Sequence, residues 1–158
     1  MRRHDREQSL AFSLALIDKA PHGIAAFSTP DGAPYCIPLS FVRIGEFLYF
    51  HCAMEGRKVD LLRADPRVCV TFVGEDSPVF LEPSMYTTYF QSAVVCGTAR
   101  EVTEPEEKTE ALRALCEKLL PAHMGQAFER AIDQSLSVTM IWKISMDQVT
   151  GKAKRRPN

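Results

Sequence analysis

Apolar and polar positions alternate along most of the chain, and three denser runs with helical spacing interrupt the alternation. Ser9 to Ala20 (SLAFSLALIDKA) is apolar enough for a helix lying on a core, and Pro21 and Gly23 end it. His22 to Ser28, Pro34 to Arg43 and Phe47 to His51 then read as three strands. Thr29-Pro-Asp-Gly32 and Ile44-Gly45-Glu46 turn the chain between them, which predicts an antiparallel meander. Pro38 inside the second strand removes a ladder donor, so that strand belongs at an edge or a bulge.

The period changes at Glu55 to Ala64 (EGRKVDLLRA), where Val59, Leu61 and Leu62 share one side of a short helix ended by Asp65-Pro66. Arg67 to Val73 is a β-branched strand, and Glu75 to Tyr86, with Pro78 and Pro83, reads as a loop holding one short extended piece. Tyr89 to Val102 is a long strand, with Gly97 marking a bend or bulge. Thr103-Glu-Pro-Glu106 has the form of a capping box for a helix running to about Leu120, with Leu112, Leu115, Cys116 and Leu119 on one face. Ala122 to Ser135 is less regular, either a second short helix or a lid, and Ser137 to Val149 is a last strand. The pattern therefore predicts a mainly β, single-domain chain over 1-158: six antiparallel strands closing a small barrel, with helices at its periphery.

Charge and cysteine content narrow the class. A net charge of -1 gives no global field for nucleic acid or an anionic membrane, although basic residues gather at both ends, as Arg2, Arg3, Arg6 and Lys152, Lys154, Arg155, Arg156. Charge runs of this kind read as solvated tails, with a partner-binding role as the alternative. The start has no apolar segment of the secretory kind, and no apolar run reaches membrane-spanning length. The five cysteines are odd in number and form no CxxC, as expected in a reducing compartment, so the chain is expected to be cytoplasmic.

Candidate chemistry concentrates at Tyr49 to Asp60. A helix start presents unpaired N–H groups and partial positive charge, Gly56 allows close approach, and Arg57 and Lys58 add two full charges. These features suit a phosphate; two solvated basic residues on a surface helix are the plain alternative. His51 stands just before this element, either as a hydrogen-bonding group facing a ligand or as a half-buried histidine at a strand end. Around Pro38-Leu39-Ser40-Phe41 some main-chain groups are left over by the broken ladder and are open to the edge of a heterocycle, or to nothing but an edge bulge. The four histidines lack metal-ligand spacing, no GxSxG, GxGxxG or GKS/T occurs, Glu106, Glu107 and Glu110 look like a solvated helix face, and Trp142 reads as core or interface.

The segments MRRHDRE, PYCIPLSF, LYFHCAMEGRKVDLLRADPRVCVTF, YFQSAVVCGTAREV and VTGKAK, in this order, resemble the pyridoxamine 5′-phosphate oxidase-like flavoproteins, in particular the branch of the 5-nitroimidazole resistance (Nim) proteins. His51, Ala53, Gly56 and Lys58 match that branch's H-x-A-x-x-G-x-K element. The resemblance implies an FMN-binding split β-barrel homodimer with FMN at the subunit interface. It implies that Arg57 and Lys58 hold the FMN phosphate, and that Pro38, Leu39, Ser40, Phe41 and Phe50, His51, Cys52, Ala53 flank the rest of the flavin. Tyr89 and Ser92, with two residues between them, resemble the family's Y-x-S-V strand that completes the pocket against the other subunit, with Ala93 in place of the usual valine; Cys52 stands where Gly or Ser is common, and both changes bear on which substrate fits. The implied activity is an FMN-dependent reductase of nitroaromatic compounds with His51 as the candidate catalytic group. A flavin carrier or sensor, and a haem-binding relative, are the alternatives.

Overall fold

In the computed structural model, which describes residues 3–156, α1 (Leu10–Lys19) forms where Ser9 caps the first turn by accepting from the Phe12 N–H at 3.2 Å. Met1 and Arg2, which belong to the basic start and to the MRRHDRE segment, lie outside the described residues. The strands are β1 (Glu7–Gln8), β2 (Gly23–Phe27), β3 (Tyr35–Leu39), β4 (Val42–Ile44), β5 (Phe47–Ala53), β6 (Arg67–Leu81), β7 (Met85–Val102), β8 (Thr139–Ser145) and β9 (Gln148–Lys154). The other helices are α2 (Arg57–Ala64), α3 (Pro105–Leu119) and α4 (Gln126–Ser135). The fold is mainly β and antiparallel with peripheral helices, as the pattern predicts. Among the described residues there are nine strands rather than six, because Pro34 to Arg43 breaks at Ser40-Phe41, Ser137 to Val149 breaks at Met146-Asp147, and Glu7-Gln8 joins the sheet.

The strands run in the order β3-β2-β6-β7-β8-β5-β4, with β9 on β7 and β1 on β9. The first strands are therefore not a meander: β2 and β3 form one hairpin, β4 and β5 another, and these lie at opposite ends of the path. Yet β3 and β4 are joined by Ser40 and Phe41 alone, so the two ends must be neighbours in space. The sheet curls into a barrel with an unpaired seam there. Phe41 stands inside the seam, fully buried and edge-on to Phe50 and Phe72 with centroids 5.6 and 5.7 Å away. α2 carries Val59, Leu61 and Leu62 into the same core.

Three local expectations are corrected. Glu75 to Tyr86 is no loop: β6 and β7 continue as a two-stranded arm, paired from Asp76↔Phe90 to Leu81↔Met85, and β2 pairs with β6 only up to Thr71, so Pro78 sits where the outer edge of β6 is free. The strand irregularity lies between Val73 and Asp76, not at Gly97. Gly97 instead lets β7 pass the end of β8, since a Cβ there would overlap the Ser145 carbonyl oxygen. The capping box does not form: Pro105 opens α3, which makes Glu104 the cap residue, and its side chain makes no cap bond. Ala122 to Ser135 contains α4, which packs Phe128 beneath Arg113 of α3 at 4.4 Å.

Candidate functional site at the start of α2

α2 begins where β5 leaves the sheet. Gly56 adopts φ +125°, a backbone that L side chains rarely take, and a Cβ there would meet nothing within 4 Å, so its conformation and not crowding requires glycine. Its carbonyl accepts from Val59 N–H at 2.8 Å and Asp60 N–H at 3.1 Å. The cap residue has no side chain to satisfy the earlier donors, and among the described residues the main-chain N–H groups of Arg57 and Lys58 have no acceptor. The exposed Arg57 lays its guanidinium over the Tyr35 ring at 4.5 Å, and Lys58 is half-buried. Neither has a carboxylate within 4 Å among the described residues. Open N–H groups, a positive helix end and two uncommitted cations are a donor set that fits a phosphate group such as that of FMN.

Alternation along β5 sorts its residues. Phe50 and Cys52 point into the core, while His51 and Ala53 face outward. Burial pushes the Cys52 thiol up, the Lys58 charge opposing it, and the thiol lies among core residues with Met140 and Trp142, so its size does not shape an outer pocket. His51 is exposed as a residue, yet its ring is partly desolvated; that burial, followed by the charge of Lys58, lowers its pKa from the ordinary 6.5. On β3, Pro38 faces outward and Leu39 packs on the core; Ser40 is half-buried at the seam and Phe41 fully buried. The side chains of Leu39, Phe41, Phe50 and Cys52 are therefore committed to the core, and only their main chain is open to a ligand.

The fold brings His51, Ala53, Gly56, Arg57 and Lys58 together, with Tyr35 beside them. Tyr89 and Ser92 lie in the β7 ladders instead: Tyr89 is buried opposite Ser77, and the Ser92 hydroxyl donates to the Lys152 carbonyl at 3.5 Å. Sequence reasoning missed Tyr35, because only the β2–β3 pairing and the path of α2 across the barrel's end place that ring under Arg57. Its aromatic character on an edge strand was the one available signal. No helix among the described residues is long and apolar enough to cross a membrane.

The family profile of pyridoxamine 5′-phosphate oxidase matches residues 11–153. Among solved structures, a candidate 5-nitroimidazole antibiotic resistance protein from Bacteroides thetaiotaomicron is 25% identical, with a TM-score of 0.80, covering 92% of this chain and 84% of that one. The flavocytochrome Anf3 from Azotobacter vinelandii is 22% identical at TM-score 0.80, covering 99% and 73%. The FAD and heme binding protein from Mycobacterium smegmatis is 21% identical at TM-score 0.80, covering 97% and 76%. No curated protein matches the chain.

Proposed function

The chain belongs to the pyridoxamine 5′-phosphate oxidase family, and from that premise we propose that it is an FMN-dependent oxidoreductase of the 5-nitroimidazole resistance branch, reducing nitroaromatic compounds as a homodimer. The observation that carries the reading is the uncapped start of α2, with Gly56 at φ +125°, two open N–H groups, and Arg57 and Lys58 free of carboxylates. FMN, when bound, supplies the redox chemistry, and the protein binds and orients it. Arg57, pre-placed by its stack on Tyr35, and Lys58 hold the phosphate. The main chain of Pro38 to Phe41 and of Phe50 to Ala53 flanks the ring system, with the imidazole of His51 facing it.

Tyr89 and Ser92 belong to a different part of the barrel, and in this reading they reach the flavin from the second copy. The arm supports that dimer, because Phe80 (45% exposed), Met85 (53%) and Tyr86 (84%) leave it an apolar surface in want of a cover. The nitroaromatic substrate class rests on the likeness to the Bacteroides thetaiotaomicron protein.

Titration of the purified protein with FMN and with riboflavin tests the cofactor. FMN is expected to bind saturably and riboflavin much more weakly. Arg57→Ala with Lys58→Ala is expected to cost about 3 kcal/mol or more, roughly a hundredfold in Kd. Unchanged FMN affinity in that folded variant would remove the phosphate assignment. A haem-binding reading is second: His51 is held neutral, the form that ligates iron, and two of the similar structures are described as a flavocytochrome and a heme binding protein. A Soret band on reconstitution, without flavin binding, would put it first.

A further inference from the structure

Arg3, Arg6, Lys152, Lys154, Arg155 and Arg156 take no part in the phosphate cradle of α2, and the fold gathers them into one patch. β1 pairs with β9 in the register Glu7↔Lys152 and Gln8↔Gly151, and the Arg155 guanidinium donates to Gln8 Oε1 at 3.0 Å. Arg6 and Lys152 each stand 5.8 Å from the centroid of Phe90. Lys154 and Arg156 each stand 5.5 Å from that of the neighbouring Tyr89, and Arg155 covers Phe12 at 5.1 Å. Cations that share a ring are thus within about 12 Å of each other, little more than the ~8–10 Å screening length at ordinary ionic strength.

Carboxylates meet this group only at its margins. Asp5 lies 3.9 Å from Arg6 but is held at 2.6 Å by Arg3, and Glu75 lies 3.7 Å from Arg156. Among the described residues no carboxylate comes within 4 Å of Lys152, Lys154 or Arg155, and the ammonium of Lys154 donates to the Thr87 hydroxyl. A cavity of about 390 Å³ opens at this place, walled by Arg3, Asp5, Arg6, Gln8, Lys154 and Arg155.

We propose that this cavity binds a pyrophosphate group, at a site separate from the start of α2. Its walls carry four cations against the single carboxylate of Asp5. That excess complements the ~3 negative charges of a free or singly esterified diphosphate better than a single phosphate does. The guanidiniums of Arg6 and Arg155 offer paired donors that suit phosphate oxygens, and their stacks on Phe90 and Phe12 already restrict them, which lowers the ordering cost of binding. Crowded like charges that outnumber their local carboxylates make an anion the natural complement.

Calorimetric titration of the full chain with inorganic pyrophosphate and with ADP, at low and at physiological salt, tests the site. A saturable site for pyrophosphate is expected that persists in the Arg57→Ala, Lys58→Ala variant and weakens as salt rises. Lys154→Gln with Arg155→Gln should lower its affinity roughly tenfold or more, while Lys154→Arg and the Arg57→Ala, Lys58→Ala variant should keep it. ADP binding as tightly as pyrophosphate means that the diphosphate alone is read; ADP binding about tenfold tighter means that a nucleoside is read as well, and either supports the site. Should the double variant fail to fold, Arg155→Gln at its exposed position serves instead, with about a threefold loss expected. Absence of saturable binding at low salt, or unchanged affinity in the folded patch variant, overturns the proposal. So does loss of binding only in the Arg57→Ala, Lys58→Ala variant, which would assign the anion to α2. Because those two variants address different cations, failure of the flavin reading leaves this test intact.

Discussion

His51 shows how a single residue's chemistry depends on neighbours that local spacing does not weigh. Partial burial of its ring, and then the charge of Lys58, both favour the neutral imidazole. At neutral pH the ring is therefore a hydrogen-bonding group and a poor proton donor. An NMR titration is expected to give a midpoint below 6.5, and Lys58→Met should move it upward; an unmoved midpoint would mean that Lys58 exerts no charge effect there. Since the folded value lies below the unfolded one, the unfolded chain binds more protons between the two. This group's contribution to stability therefore falls as the pH drops below about 6.5.

At the scale of elements, α3 is fastened to the barrel by two polar anchors that an expected solvated face does not suggest. The Glu107 carboxylate accepts from the Tyr49 hydroxyl at 2.8 Å and from the Lys143 ammonium at 2.7 and 3.0 Å. The Lys118 ammonium donates to the carbonyls of Phe41 at 2.8 Å and Ile17 at 3.2 Å, so one side chain ties α3 to the barrel seam and to the last turn of α1. Glu107→Ala leaves Tyr49 and Lys143 without their acceptor and is expected to cost about 2 kcal/mol in urea unfolding. The bond from Lys143, foremost, holds the Glu107 carboxyl below its ordinary 4.5. Its contribution is then present above that value and lost as the pH falls through the folded one, and the Glu107→Ala protein should lose less stability between pH 5 and 3 than the parent. In β7, Gly97→Ala forces a methyl onto the Ser145 carbonyl and is expected to cost more than about 3 kcal/mol. A thermal midpoint within a few degrees of the parent's would refute that close approach.

For the whole molecule, the arm of β6 and β7 is the feature that a lone copy leaves least covered. A two-stranded ribbon is marginal in water by itself, and this one exposes the paired rings of Phe80 and Tyr86, 4.8 Å apart. Replacing both with serine is expected to shift the sedimentation equilibrium from dimer toward monomer while leaving the barrel folded. Trp142, the chain's single tryptophan and buried in the core, reports on that second condition through its emission. A dimer unaffected by the double substitution would remove the arm from the proposed interface.

How far the sequence reaches differs between these scales for a physical reason. Alternation and helical spacing are written by residues two to four positions apart, so α1, α2, α3 and most strands were legible, as were the glycine and the two cations that start α2. The prolines at 78 and 83 misled, because whether a proline breaks a strand depends on which edge is free, and that is a property of the sheet. That the Phe41 and Phe50 side chains turn into the core was not legible, because a run such as Tyr49-Phe-His-Cys52 does not say which face is inward; barrel closure decided it. Tyr35 beneath Arg57, Glu107 between Tyr49 and Lys143, and the joining of the two basic ends through β1 and β9 were likewise absent from any local pattern. By itself the sequence determined most of the elements, the family, and the glycine and paired cations that open α2, since these rest on neighbouring residues and short motifs. Tertiary structure alone decided which strands pair and which side chains meet, because those contacts join positions as far apart as Gln8 and Arg155 and form only when the whole sheet curls shut.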